Sequence, residues 1–306
     1  LLSDRKQILK RTYPAWAGLI PFIGVRIHQL IILEDVYYKY DPEGIEALRG
    51  VSLQIREGEH LALIGPNGCG KTTLIRHLNA LLLPASGKVT VGGCNTNDPT
   101  HQADIRSLVG MVFQNPDNQI VGVTVEEDVA FGPENLRLPT VEIKKRVTEA
   151  LFRVGIPELA YRNIENLSGG EKRLVAIAGV LAVRPRYIAL DEPAAFLDPD
   201  ATKRVLDIID KLHSEGVGII HITHNMAEAA LTQRIVVMNE GRVYLDGTPR
   251  EIFGKAGMLQ KIGMQLPQIT ELLIKLKESG FPVRTDIVNM EDALEQIRSL
   301  ASKFKD

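Results

Sequence analysis

Apolar and aromatic residues of β-forming type dominate residues 31–40 and alternate with polar ones over 51–55, with Asp41-Pro42, Gly44 and Glu57-Gly58 as breaks, which predicts short strands joined by turns. A small antiparallel layer is implied. It leads into the run 60–64, whose nearly unbroken apolar character reads as a buried strand. After Gly70 the spacing becomes helical over 71–82 and is stopped by Pro84 and Gly87, so strand, glycine loop and helix follow one another.

Between about 115 and 166 the period lengthens to that of a helix, with amphipathic segments at 125–131 and 141–154 punctuated by Pro133, Pro139 and Pro157. This predicts a helical insert. Beyond it, apolar runs at 187–190, 218–222 and 235–238 alternate with helical stretches, the pattern of parallel strands with crossover helices. Gly241 and Gly247-Thr248-Pro249 close this α/β domain, and a short helix at 249–253 leads out of it. The remainder offers an amphipathic helix at 268–279, an extended stretch at 283–288 and a helix at 291–304. So small a unit needs a covering surface, on the main domain or on a partner copy. The expected division is an extension at 1–29 outside the fold, a main domain at 30–254 and a small α+β accessory or dimerisation domain at 255–306.

Composition adds exclusions. Of the 306 residues 44% are hydrophobic and 24% charged, an ordinary globular balance, and a net charge of -2 provides no field drawing the chain to nucleic acid or anionic lipid. Any membrane association must then come through a protein partner. Cys69 and Cys94 cannot build a disulfide framework and fit a reducing cytosol. Arg5, Lys6, Lys10 and Arg11 precede an apolar stretch at 15–25, a poor outline of a signal peptide because Gly18, Pro21 and Gly24 interrupt it.

Gly65-Pro66-Asn67-Gly68-Cys69-Gly70-Lys71-Thr72 fits G-x-x-x-x-G-K-[ST] in the strand-loop-helix setting its chemistry requires, with Thr73 following. Glycines let backbone N-H groups wrap phosphates, Lys71 reaches the β and γ phosphates of ATP, and Thr72 offers a hydroxyl to Mg2+. Further on, 187–190 is an apolar strand ending in Asp191-Glu192, where ligands bind in open α/β sheets. Asp191 suits the metal, through water, and Glu192 suits a general base for the attacking water. Without the glycine loop the pair would read as solvated acids at a strand end.

Leu167-Ser168-Gly169-Gly170-Glu171, taken with these motifs, resembles the signature of ABC ATPases, and residues from about 31 to 253 fit that family in order and spacing. The resemblance implies two ATPs sandwiched head to tail in a dimer, with Ser168, Gly169 and Gly170 acting on the partner subunit's ATP. Glu171 stands where the family often has Gln. Gln114 matches the family's loop glutamine that touches metal and attacking water, His224 its switch histidine at the γ phosphate, and Asp198 its loop residue for communication between composite sites. Asn225 replaces the more common Asp. Tyr40 holds the position of the adenine-stacking aromatic, with Tyr38 on the same face; plain β-surface packing is the alternative. His221, three residues before His224 in an extended segment, points to the opposite face, so the two make no metal pair. Cys69, beside Lys71 at a helix start, is either a reactive thiolate or a small buried filler.

Phe113-Gln114-Asn115-Pro116-Asp117-Asn118-Gln119 and a tail carrying Leu266-Pro267 and Gly280-Phe281-Pro282 resemble the ATPases of energy-coupling-factor transporters, importers of cobalt, nickel and vitamins. That resemblance implies a peripheral ATPase on the cytoplasmic face of the cell membrane. Its partners would be a second ATPase subunit, identical or paralogous, an integral membrane coupling subunit and a substrate-binding membrane subunit, with no nucleic acid. Two rivals are a soluble ABC ATPase of ribosomes, DNA repair or iron-sulfur assembly, and an ATP sensor without turnover. No long coiled-coil insertion or second ATPase unit favours the first, and Glu192, Gln114 and His224 speak against the second.

Removing residues 1–29 is expected to leave thermal unfolding and ATP hydrolysis unchanged, because the segment precedes the first strand. A large loss of stability or of membrane assembly would place a real element there.

Overall fold

The computed structural model describes residues 30–302, so the expectation for residues 1–29 lies outside it. Alternation places Ile31 and Leu33 of β1 (Leu30–Lys39) and Val51, Leu53 and Ile55 of β2 (Glu46–Arg56) inward, a register shift between Leu33 and Val36 brings Val36 back to the same face, and the two strands pair antiparallel. β4 (Ser86–Val91) and β5 (Cys94–Asn95), which the periodicity did not mark, complete a four-stranded sheet in the order β2-β1-β4-β5.

The second sheet contains β3 (His60–Ile64), β6 (Val109–Val112), β7 (Tyr187–Asp191), β8 (Gly218–Ile222), β9 (Arg234–Asn239) and β10 (Arg242–Gly247), in the order β10-β9-β3-β8-β7-β6. β10 runs antiparallel to its neighbour and the others are parallel. Every residue of β3, β6, β7 and β8 is buried, as required of a parallel sheet covered on both faces.

One face meets the antiparallel layer. Leu61, Leu63, Ile220, Ile222 and Val236 pack there with Ile31, Leu33 and Ile55, and α1 (Lys71–Leu78) adds Leu74, Ile75 and Leu78. This helix stops short of the expected residue 82, because Ala80 takes a positive φ of 55 and the N-H groups of Leu81 and Leu82 both turn back to Arg76 O. α2 (Gln102–Leu108) leads into β6.

The insert is helical as expected, with α3 (Val125–Asn135) and α4 (Thr140–Val154). They pack with α5 (Gly169–Val183) and α6 (Pro199–Ser214) over Ile188, Leu190 and Ile219. α5 is apolar over most of its circumference, from Leu174 to Ala178 and Val180 to Ala182, so it serves as the buried axis of this layer.

A third cluster joins Ala62, Ile64 and Ile235 to α7 (Met226–Ala230), α8 (Pro249–Phe253) and α9 (Ala256–Lys261), and it extends through Leu259 and Met264 to Leu266. Hydrophobic contact therefore runs across the expected boundary at residue 254. α10 (Gln268–Glu278) and α11 (Met290–Ser302) close a small core of Leu273, Val283, Ile287 and Ala293. Leu276 and Leu300 pack against it, while Leu272 and Leu294 stay exposed.

The expected α+β character of this last unit is corrected: no strand follows β10 among the described residues. Val283 and Ile287 both point into the small core, and side chains take the backbone groups a strand partner would have met. Gln296 accepts from Arg284 N at 2.9 Å and donates to Arg284 O at 3.2 Å, and Thr270 Oγ1 donates to Ile287 O at 2.9 Å. Among the described residues no helix is long and apolar enough to cross a membrane.

His60 and His221 lie buried on one face of β3 and β8, their rings stacked with centroids 6.2 Å apart, and the His213 ring lies 5.3 Å from that of His60. Burial pulls the pKa of His60 down to about 4, with His213 adding to the shift, and that of His221 to about 3, with His60 adding. Above the unfolded value of 6.5 both rings are neutral in either state, so this contribution to stability is intact. As pH falls from 6.5 toward about 4, the unfolded chain binds protons that the folded chain rejects. Unfolding free energy should then drop by up to roughly 1.4 kcal/mol per pH unit for each histidine and level off below the folded values. Urea unfolding from neutral pH down to about 5 should show this slope, shallower in His221→Gln. A slope unchanged by that substitution would assign it to other groups.

Candidate active site

β3 delivers the chain into a loop at residues 65–70, and α1 begins at Lys71. Gly65 (φ 148) and Gly70 (φ 103) are confined by backbone: a Cβ on Gly65 would lie 2.2 Å from Met238 O, and one on Gly70 2.4 Å from Ala47 O. Only glycine fits at either point. Lys71 is buried, and its Nζ donates to Gly65 O at 2.8 Å and Pro66 O at 3.0 Å, so the ammonium sits within its own loop. Cys69 is 4% exposed with its Sγ 3.9 Å from Lys71 Nζ. Burial pushes its thiol up by more than the lysine charge pulls it down, which favours the filler over the thiolate.

Parallel register assembles the remaining groups. Val112 pairs with Leu190, so Gln114 and Glu192, each two residues further on, emerge level with each other; Asp191 pairs with Ile222, so His224 follows one residue beyond the position level with Glu192. Glu192 Oε1 lies 2.9 Å from His224 Nε2, and Oε2 accepts from Gln114 Nε2 at 2.9 Å. Glu192 adopts φ 48, and its N-H donates to Ile222 O at 3.1 Å, so the chain turns sharply as it leaves the sheet.

Asp191 is 4% exposed and accepts from Thr72 Oγ1 at 3.2 Å. Burial raises its pKa, while the Thr72 hydrogen bond and the Arg76 and Lys71 charges act against the rise. A buried carboxylate beside a hydroxyl fits Mg2+, which binds through one or two protein oxygens together with phosphate oxygens and water.

Tyr40 follows β1 and is 58% exposed; its hydroxyl is 3.1 Å from Thr73 Oγ1 in α1, and its ring meets Tyr38 edge-on at 5.1 Å. Tyr38 in turn packs edge-on against His77 at 4.9 Å. An open aromatic face thus stands beside the glycine loop.

The signature residues lie elsewhere in the subunit. Ser168, Gly169 and Gly170 line a depression with Leu197, Asp198 and Arg204. Ser168 caps α5, and Glu171 accepts from both Ser168 N and Ser168 Oγ at 2.8 Å, bonds that hold its pKa below the usual carboxylate range. Glu171 in place of Gln therefore makes a charged capping box. Asp198 caps α6 by accepting from Ala201 N at 2.9 Å. Asn225 accepts from Ala227 N at 2.9 Å and donates to Glu228 Oε1 at 3.1 Å, a second bond that the more common aspartate could not donate. His221 stays in the interior, apart from the exposed His224.

Three side chains at the site were assigned no role from the sequence, and of these only Gln119 lay within a motif. Arg173 and Gln119 hold the backbone around Gln114, Glu228 accepts from the Thr223 hydroxyl and the Asn225 amide on either side of His224, and the signal for Arg173 was an arginine set against the apolar run of α5.

An ABC transporter family profile matches residues 48–195. The cobalt import ATP-binding protein CbiO of Syntrophus aciditrophicus is 50% identical over 273 residues, covering 89% of this chain and 98% of that protein. The energy-coupling factor transporter ATP-binding protein EcfA1 of Symbiobacterium thermophilum is 47% identical over 281 residues, with 89% and 98% covered. The solved structure of cbiO1 from Clostridium perfringens, part of the ABC transporter complex cbiONQ, superposes with a TM-score of 0.68 at 38% identity over 80% of this chain and 98% of that one. The dimeric ATP-binding cassette MJ0796 bound to ADP and Pi gives 0.65 at 31% identity over 72% and 98%. A glycine loop against a strand-end carboxylate pair, on a fold shared with these proteins, places the chain in the ABC transporter ATP-binding family, within the energy-coupling-factor group of ATPase subunits.

Proposed function

We propose that this chain hydrolyses ATP as one half of a head-to-tail ATPase dimer on the cytoplasmic face of the membrane, driving import of a metal ion or vitamin through membrane partner subunits. The observation that carries this reading is Glu192, held at 2.9 Å by both Gln114 and His224 beside the Thr72–Asp191 pair. A base with both oxygens engaged is oriented before substrate arrives.

Lys71 would exchange its two carbonyl partners for the β and γ phosphate oxygens of ATP, and Tyr40 would stack on adenine. Thr72, Asp191 and Gln114 would hold Mg2+, which supplies charge neutralisation at the phosphates. Glu192 accepts the proton of the attacking water while His224 contacts the γ phosphate. Ser168, Gly169 and Gly170 present hydroxyl and helix-terminal N-H groups to the partner subunit's ATP, with Asp198 beside them for communication between the composite sites. The identity of the cargo rests on the relatives named for cobalt import and energy coupling. The domain at 255–306 packs partly on the main sheet, and its exposed Leu272 and Leu294 are the surface it offers to a second copy.

Glu192→Gln is expected to bind ATP normally, to hydrolyse it about 10²-fold or more slowly, and to accumulate as an ATP-bound dimer. Single-turnover hydrolysis and gel filtration with ATP read this out, and near-normal turnover would remove Glu192 from the role of base. Cys69 is expected to react with iodoacetamide more slowly than an unhindered thiol near neutral pH. Rapid modification suppressed by Mg-ATP would instead favour the thiolate.

A further inference from the structure

β6 ends at Val112, and beyond it the backbone leaves the sheet, so the polar groups of residues 113 and 114 need partners from outside the ladder. Two side chains provide them. Gln119 accepts from Phe113 N at 3.0 Å and donates to Met111 O at 3.2 Å. Arg173 donates from Nη1 to Phe113 O at 2.5 Å and from Nη2 to Gln114 O.

Arg173 is 2% exposed, and its Nε has no partner among the described residues, so a guanidinium has been buried with its fork spent on two carbonyl oxygens. Desolvating so strong a cation is costly, and the Asp191 carboxylate is the charge that offsets part of that cost. A neutral donor could have satisfied a loop carbonyl more cheaply. The contact also joins particular parts: Arg173 lies in the first turns of α5, the helix that Ser168 caps, while Gln114 reaches Glu192. Neighbours reinforce the link, with Lys172 Nζ 2.7 Å from Asp117 Oδ1 and Gln119 Nε2 3.5 Å from Ala176 O.

We propose that Arg173 is a positioning residue for ATP hydrolysis: by gripping both carbonyls of the Phe113-Gln114 segment it keeps Gln114 Nε2 on Glu192 and ties that glutamine to the signature helix. A displacement of the loop at residues 113–119 is thereby shared with Ser168, so the two halves of the composite sites move together. The inference rests on the assignment of Gln114 and Glu192 above.

The test is steady-state MgATP hydrolysis by the full chain, comparing Arg173→Lys, Arg173→Met, Gln114→Ala and the two double variants, each with its thermal unfolding curve. Lysine keeps the charge but cannot span two carbonyls with a planar fork. Both Arg173 variants should lower kcat by about tenfold or more with KM within about twofold, since a misplaced group costs turnover more than binding. Each double variant should be no slower than Gln114→Ala alone, because both changes disable one device. Should Arg173→Met fail to fold, Arg173→Lys carries the comparison. Wild-type kcat in Arg173→Lys, or losses that multiply with that of Gln114→Ala, would overturn the inference and leave the site assignment standing. Undiminished turnover in Gln114→Ala would remove the assignment and the inference together.

Discussion

The register of three parallel strands sets the level at which this molecule does its chemistry. β6, β7 and β8 are buried on both faces, so a slip by one residue would exchange the side chains packed on the antiparallel layer, such as Ala189 and Ile220, with those packed on the helical layer, such as Ile188 and Ile219, and neither layer would then fit. Locked in that way, they release Gln114, Glu192 and His224 at one edge of the sheet, next to the glycine loop that β3 supplies. The hydrogen bonds around Glu192 follow from this alignment.

Electrostatics then divides the site into two kinds of group. Lys71 and Asp191 are both buried, one held by carbonyl oxygens and the other by a hydroxyl, and a nucleotide with its cation would meet both charges. Glu192 and His224, by contrast, stand at the rim, where water can reach them. The signature residues occupy a different depression of the same subunit, capped onto α5. In the proposed head-to-tail dimer a single copy would hold both halves of the chemistry without bringing them together, so turnover would depend on closure.

Buried and half-buried polar side chains steady the loops that leave the sheet. Arg173 and Gln119 hold the loop after β6, and Glu228 accepts from Thr223 Oγ1 at 2.6 Å and from Asn225, steadying the turn that carries His224. His60 and His221 lie deeper, where the sheet tolerates them only as neutral rings.

Strands that are unbroken apolar runs, such as residues 60–64 and 218–222, and the glycine loop were legible along the chain, because period and local steric demand act over a few neighbouring residues. The sequence also pointed to Asp191 and Glu192 at a strand end, and to Gln114 and His224 through the family resemblance. What it left open was set by partners distant in the chain. β4 is a strand because β1 pairs with it and β5 because β4 does, Val283 and Ile287 face a helical core instead of a sheet, and Cys69 is buried because β9 and β2 close over its loop. Arg173 reaches a carbonyl 60 residues away. No periodicity in the chain encodes such a contact, since it exists only once the helical layer has packed on the sheet and left two backbone oxygens in need of a donor.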